Sequence, residues 1–298
     1  MPLDGPVLLA TCDRLPDGDE DALLLTEALD RLGVQSRWAA WDDRDVAWSD
    51  SLVVLRSTWD YTARRDEFLA WVDALPRVAN AADVVRWSSD KTYLVDLEDR
   101  GLPIVPTLVV RPGDDWTWPD ADEVVAKPSV GAGSRGVGRF TRDREAAARE
   151  HVAALHAAGR SVLVQPYLET VDTAGETALI YLDGVYSHAI RKAPMLPVGV
   201  VHAADSSDLY VPESILPRTP TGDERLVGDA TLEAVRSRFG ADPLYARVDL
   251  LPGPTGPAIV ELELVEPSLF LVHATGDAAP DAPGSAADRL AAAVAARA

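Results

Sequence analysis

The apolar positions of this chain follow two alternating rhythms. Val7 to Thr11 is an unbroken apolar run of strand length. Glu20 to Leu32 then places apolar residues at Leu25, Ala28, Leu29 and Leu32 ahead of Gly33, the spacing of an amphipathic helix with a glycine stop. Val34 to Trp38 and Ser51 to Leu55 read as further strands, and Arg64 to Leu75 as a further helix. Strands separated by helices predict a small, largely parallel α/β sheet over residues 1–82, and in such sheets ligands gather beyond the carboxyl ends of the strands. The polar and aromatic run Arg56-Ser57-Thr58-Trp59-Asp60-Tyr61 sits at one of those ends. Simple core packing is an equal reading for Trp59 and Tyr61.

Two more units follow. Residues 83–160 hold a short helix over Lys91 to Arg100, strands at Thr107 to Arg111, Val124 to Lys127 and Val137 to Thr141, and a helix from Asp143 to His156. Residues 161–298 open with a strand at Val162 to Gln165. The pair Glu176 to Asp183 and Val185 to Arg191 comes next, joined by Asp-Gly, a strong hairpin signal. Pro194 to Pro220, dense in Pro, Ser and Asp, reads as one long loop. Strands at Tyr245 to Leu251 and Ala258 to Val265 precede an alanine-rich terminal helix.

Charge and composition narrow the classes. In 298 residues, 28 Lys plus Arg stand against 48 Asp plus Glu, a formal charge of −20. So negative a surface argues against nucleic acid or anionic membrane as the main partner, yet leaves room for a nucleotide whose phosphates meet a few local cations and a divalent metal. A single cysteine, Cys12, and an N-terminus without a basic start and apolar core point to a reducing cytoplasm. Only three of the 28 cations are lysines: Lys91, Lys127 and Lys192. In an arginine-biased chain, a lysine marks a place where a compact charge on a slim stem is wanted rather than a wide fork.

The lysines keep informative company. Lys127 ends an apolar strand just before Ser129, Gly131, Gly133, Ser134, Gly136 and Gly138. These glycines match G-x-G-x-x-G, but a β-like segment follows instead of a helix, and no Gly-Lys-Ser/Thr closes the run. What remains is a glycine-rich hairpin able to cover phosphates, with a plain flexible turn as the alternative. Lys91 follows Ser88-Ser89-Asp90 at a helix N-terminus, a position that favours anions. Asp249 lies in one late strand, while Glu261 and Glu263, two apart, share a face of the next. If those strands are neighbours, three carboxylates converge into an oxygen-rich site suited to Mg²⁺ on nucleotide phosphates. An exposed acidic strand face is the alternative.

This order of elements and motifs, over nearly the whole chain, resembles the ATP-grasp superfamily and most closely its glutathione-synthetase-like branch. The resemblance implies an α/β (α+β) fold with a Rossmann-like substrate domain at 1–82, a lid subdomain at 83–160 carrying the glycine loop, and a C-terminal antiparallel-sheet domain at 161–298. It implies that Lys91 and Lys127 bind ATP phosphates, that Ser129 to Gly138 form the mobile loop, and that Gln165, Pro166, Tyr167 and Leu168 meet the adenine. Glu169, Asp172 and Glu176 compete for the ribose, with Glu176 preferred. Asp249, Glu261 and Glu263 map onto the metal ligands for Mg²⁺, two ions being expected and Mn²⁺ able to substitute; the last ligand in the family is usually asparagine. Arg191 falls where the family carries an arginine that stabilises the acyl-phosphate. A second family arginine, expected near Ala178, is missing, with Lys192 or Arg247 as substitutes. Arg56, with Ser57, Thr58 and Tyr61, falls where the first domain holds an amino-acid-like substrate, and related enzymes imply a homo-oligomer.

Three segments together narrow the resemblance further: Arg56 to Tyr61, Lys127 to Gly136, and Glu-Leu-Glu-Leu-Val-Glu-Pro-Ser from Glu261. The combination is similar to the small actinobacterial ATP-grasp enzymes that include D-cycloserine synthetase, which closes O-ureido-D-serine. The implied activity is an ADP-forming carboxylate-amine ligase or cyclase working through an acyl-phosphate. The alternatives are an intermolecular ligase joining two amino-acid-like molecules and a non-catalytic ATP-binding module. His188 and His273 are weighed as proton-transfer groups and read first as structural.

Overall fold

The computed structural model describes residues 5–194, 196–202, 209, 214–274 and 285–298. Its first layer alternates as expected: β1 (Val7–Thr11), α1 (Ala22–Arg31), β2 (Ser36–Ala40), β3 (Val53–Leu55), α2 (Arg65–Ala74) and β4 (Val78–Ala79). All pairs are parallel, in the order β2-β1-β3-β4. β1 and β3 are buried along their whole length, which explains unbroken apolar runs where an edge strand would alternate.

Two short helices, α3 (Ala82–Ser88) and α4 (Tyr93–Asp99), lead to the middle layer; the sequence pattern had assigned nothing to the first of them. That layer contains β5 (Leu108–Val110), β6 (Glu123–Pro128), β7 (Gly138–Thr141), α5 (Glu145–Ala157) and β8 (Val162–Pro166). Its sheet is antiparallel in the order β5-β8-β6-β7. This sheet reaches across the division expected between residues 160 and 161. β8 runs between β5 and β6, so this sheet extends through Pro166. Strand pairing is a long-range choice that no local residue at 160 announces.

The last layer comprises α6 (Val171–Ala174), β9 (Glu176–Leu182), β10 (Val185–Lys192), β11 (Ile215–Arg218), α7 (Gly222–Phe239), β12 (Tyr245–Gly253), β13 (Gly256–Glu263) and α8 (Ala286–Ala295). Five antiparallel strands follow the order β11-β10-β9-β12-β13. The Asp183-Gly184 pair turns β9 into β10 with both residues at positive φ, 53° and 72°, as a two-residue hairpin of matching twist requires. β11 corrects the expectation of one long loop over 194–220, much of which lies outside the described residues. α7, 18 residues long, fills a stretch to which the apolar pattern assigned no element. Its apolar stripe is thin, with Leu226 69% exposed and the buried side including Glu224 and Gly228. The legible signal was its start, where Thr221 and Glu224 form a reciprocal capping box.

Buried polar groups join the first and last layers. Asn80 donates to the carbonyls of Tyr245 and Leu264 and accepts from the Leu244 N–H, while the Tyr245 hydroxyl donates to Leu55 O at 2.5 Å. The Asp21 carboxylate accepts the N–H groups of Leu269 and Leu271. His188, fully buried, lies between the Ser187 hydroxyl on Nδ1 and the Leu269 and Phe270 carbonyls on Nε2, so it is structural as first read. Burial pushes its pKa down to about 4 against the pull of those carbonyls. The native state thus takes up the imidazole proton later than the unfolded chain, and this contribution to stability is lost as pH falls from about 6.5 toward 4. It amounts to roughly 3 kcal/mol. Thermal unfolding of His188→Gln beside the parent, at about pH 7.5 and pH 4.5, should show a smaller acid-induced drop in the variant. No described helix is long and apolar enough to cross a membrane.

Candidate active site

Three strand-borne carboxylates come together as the spacing predicted. β12 and β13 are neighbours, with Asp249 opposite Glu261 and Arg247 opposite Glu263. Carboxylate oxygens of Asp249, Glu261 and Glu263 lie within 4.8 Å of one another. An all-oxygen, anionic donor set of this size suits Mg²⁺, a hard cation. Cations interleave the acids. Lys192 Nζ sits 2.6 Å from Glu176 and 2.7 Å from Asp249, and Arg247 binds both Asp249 oxygens and also Glu263. Burial alone would raise the Asp249 pKa, but Arg247 and then Lys192 outweigh it and hold the carboxyl well below the usual range. At Glu263 burial prevails over Arg247, and the carboxyl is pushed up to about 7.

Lys91 owes its position to the exposed edge of β13. Ser88 accepts the Leu264 N–H, and the Tyr93 hydroxyl oxygen accepts that of Leu262, so two anchors on one strand bracket the lysine. Its ammonium meets Glu261 at 3.0 Å and the Gly131 carbonyl at 2.5 Å. Lys127, at the end of β6, is different. It is 8% exposed, yet among the described residues no carboxylate pairs with it; its one hydrogen bond among them runs 3.4 Å to Val260 O, where a bulge in β13 breaks the β12 register. Burial lowers its pKa, with Glu261 opposing and Lys91 adding to the effect.

Lys91, Lys127, Glu176, Lys192, Arg247, Glu261 and Glu263 line one cavity of about 620 Å³ between the layers, with Asp249 buried behind that lining. Gly131, Gly133 and Ser134 cover it as the tip of the β6–β7 hairpin, with Gly133 and Ser134 at φ near 60°. Gln165, Pro166, Tyr167, Leu168 and Glu176 form another wall. The Gln165 amide is tied to Thr107, and the Tyr167 N–H is taken by Glu123 O.

Other expected site residues stand elsewhere. Arg191 does not join Lys192: strand alternation turns it to the opposite face, where its guanidinium donates to the Ala174 and Thr173 carbonyls. Ser129 and Gly136 are outside the cavity lining; Ser129 accepts the Lys91 N–H, and Gly136 donates to His202 O. Arg56, Ser57 and Thr58 are each 0% exposed and do not reach the cavity. Arg56 lies 3.5 Å from Asp19 and 4.0 Å from Asp21, and Ser57 bonds Thr11. The first layer faces the cavity instead through Trp59 and Tyr61, with Asp19, Glu20 and Asp21.

Comparison with known proteins gives this geometry its context. Residues 7–82 match the family model described as the N-terminal domain of D-cycloserine synthetase DcsG. The cycloserine biosynthesis protein DcsG of Streptomyces lavendulae is 41% identical over 270 residues, covering 85% of this chain and 88% of that protein. The chain belongs to the D-cycloserine synthetase family. The crystal structure of D-cycloserine synthetase DcsG superposes at a TM-score of 0.86 with 37% identity, over 98% of this chain and 99% of that one. D-alanine–D-alanine ligase of Bacillus anthracis, solved with ATP, shares the fold at 12% identity and a TM-score of 0.64, over 98% and 96% of the two chains. The chain is thus an ATP-grasp enzyme and an ATP-dependent carboxylate-amine ligase.

Within this synthetase family member, two cavity residues carried no role in the sequence reading. Glu266 belongs to the same Glu-rich run as Glu261 and Glu263, and that run was the available signal. Arg135, inside the glycine hairpin, donates to the Trp59 carbonyl and to the Thr62 hydroxyl, both at 2.9 Å. The hairpin is therefore latched to the first layer. Arg135→Ala should let water reach the reacting acyl group, so ADP release in excess of product should rise several-fold while nucleotide affinity changes little. Parallel assays of ADP and product on one sample check this.

Proposed function

We propose that this chain closes O-ureido-D-serine to D-cycloserine with ATP and Mg²⁺. The observation that carries the reading is Lys127, a buried ammonium with no carboxylate partner among the described residues, beneath a glycine hairpin, a place made for an anion. Lys91 and Lys127 hold the phosphates, the hairpin backbone covers them, and the Gln165 to Leu168 wall takes the adenine. Because the Tyr167 N–H is already engaged, Leu168 is the main-chain donor assigned to the adenine edge. Asp249, Glu261 and Glu263 would hold the metal, which supplies charge neutralisation between nucleotide phosphates.

The chemistry is phosphoryl transfer to the substrate carboxylate, then attack on the acyl carbon by the ureido nitrogen bonded to oxygen, with phosphate leaving and a five-membered ring closing. Hydrolytic loss of the carbamoyl group as carbon dioxide and ammonia balances the conversion. The chain's own part is to orient the carboxylate beside Arg247 and Lys192, spread the developing charge, and keep water out under the latched hairpin. No side-chain nucleophile is required. A cytoplasmic setting and a small-molecule substrate accord with this reading.

ADP release coupled to product mass tests it, with Mg-ATP and O-ureido-D-serine beside a panel of amino acid pairs. Release with the mass of cycloserine supports the cyclase. Release only with a pair of amino acids makes the protein an intermolecular ligase.

A further inference from the structure

Glu266 is one of the cavity acids with no task in holding nucleotide or metal. Glu266 is 9% exposed and lines the cavity, and its main-chain carbonyl accepts the Trp59 indole N–H at 2.9 Å. Among the described residues no cation or hydrogen-bond donor meets its carboxylate. Glu176, Asp249, Glu261 and Glu263 are each met by a lysine or arginine. Burial pushes the Glu266 carboxyl up to about 8, and a ligand carrying positive charge offsets that cost by stabilising the ionised form. The surroundings fit such a ligand. Trp59 and Tyr61 stand in the same wall, and aromatic faces tolerate an ammonium where an anion would be repelled. Lys127 and the hairpin, which attract phosphate, belong to the nucleotide side of the cavity.

We infer that Glu266 reads the α-ammonium of the amino-acid substrate, with Trp59 and Tyr61 as its aromatic flank. The inference rests on the ligase reading above and adds the substrate subsite to it. It replaces the expectation that Arg56 anchors the substrate, since that guanidinium is walled off behind Asp19 and Asp21. An ammonium fixed at Glu266 leaves the carboxylate on the same carbon free to turn toward Arg247 and the acidic trio. Glu266 therefore sets both affinity and the selection of α-amino acids over plain carboxylic acids.

The test compares O-ureido-D-serine with its des-amino counterpart, 3-(ureidooxy)propanoate, by calorimetric binding in the presence of Mg²⁺ and a non-hydrolysable ATP analogue, and by steady-state kinetics. The parent should bind the amino compound about 50-fold more tightly than the des-amino one. Glu266→Gln should erase that ratio, weakening the amino compound by the same factor while changing the des-amino compound and the nucleotide less than about threefold. Glu266→Asp, which keeps the charge on a shorter stem, should retain part of the discrimination and serves if the glutamine variant misfolds. Equal losses for both compounds, or a fall in kcat with KM and binding unchanged, would overturn the assignment. Parent ADP release with O-ureido-D-serine reports on the ligase reading, whereas the ratio reports on Glu266. If another amino acid proves to be the substrate, that acid and its des-amino form carry the same comparison.

Discussion

Replacing Lys127 by methionine should have effects of opposite sign on stability and on nucleotide binding. The ammonium is buried, and its one hydrogen bond among the described residues, to Val260 O, is long, so the ligand-free protein bears most of the cost of desolvating it. Methionine keeps the stem and removes the charge. Thermal denaturation without ligand should therefore show an unchanged or higher melting temperature. Nucleotide affinity should fall about 100-fold, the loss of one charge-assisted phosphate contact in a dry site, and turnover by at least about 1,000-fold. Calorimetry with a non-hydrolysable ATP analogue and differential scanning calorimetry on the same preparation read both quantities. A destabilised variant with normal nucleotide affinity would remove Lys127 from the phosphate site.

Asp249→Asn separates chemistry from folding where alanine cannot. Asp249 is 1% exposed and is the shared partner of Lys192 and Arg247, so deleting its carboxylate takes one acidic partner from each of two buried cations, leaving them Glu176 and Glu263, and destabilises the fold. Asparagine keeps one oxygen and the shape while withdrawing the charge from the acidic trio. Turnover should drop at least about 1,000-fold, with near-native circular dichroism and nucleotide binding that no longer responds to added Mg²⁺. ADP release at saturating substrate, measured across a Mg²⁺ series, checks this. Full turnover with asparagine would show that the trio is a purely structural charge network.

The site was legible in the sequence wherever one local regularity settled its geometry. Glu261 and Glu263 had to share a strand face, the lysine shortage singled out Lys91, Lys127 and Lys192, and Asp183-Gly184 marked a turn that brings β10 back beside β9. What escaped depended on long-range choices. Arg191 and Lys192 are adjacent, so only one can face the cavity, and the pairing of β10 with β9 decides which. Arg56 follows a strand as an active-site arginine would, but burial behind Asp19 and Asp21 depends on a loop 37 residues away. β8 pairs with β5 and β6, which lie before it in the chain, and no local pattern marks that choice. α7 lacked a broad apolar face, and only its capping box announced it.

The bonds from Arg135 to Trp59 and Thr62 bear on how such proteins recombine. The hairpin that covers the cavity, and on our proposal the nucleotide, belongs to the middle layer, but its catch is part of the first. A chimera that takes its first 82 residues from a relative inherits a different catch, and two intact modules can then form an enzyme that binds ATP and spends it on water. Substrate preference and the tightness of the lid are thus inherited as one trait, and exchange at this junction succeeds only when the two sides of the latch travel together.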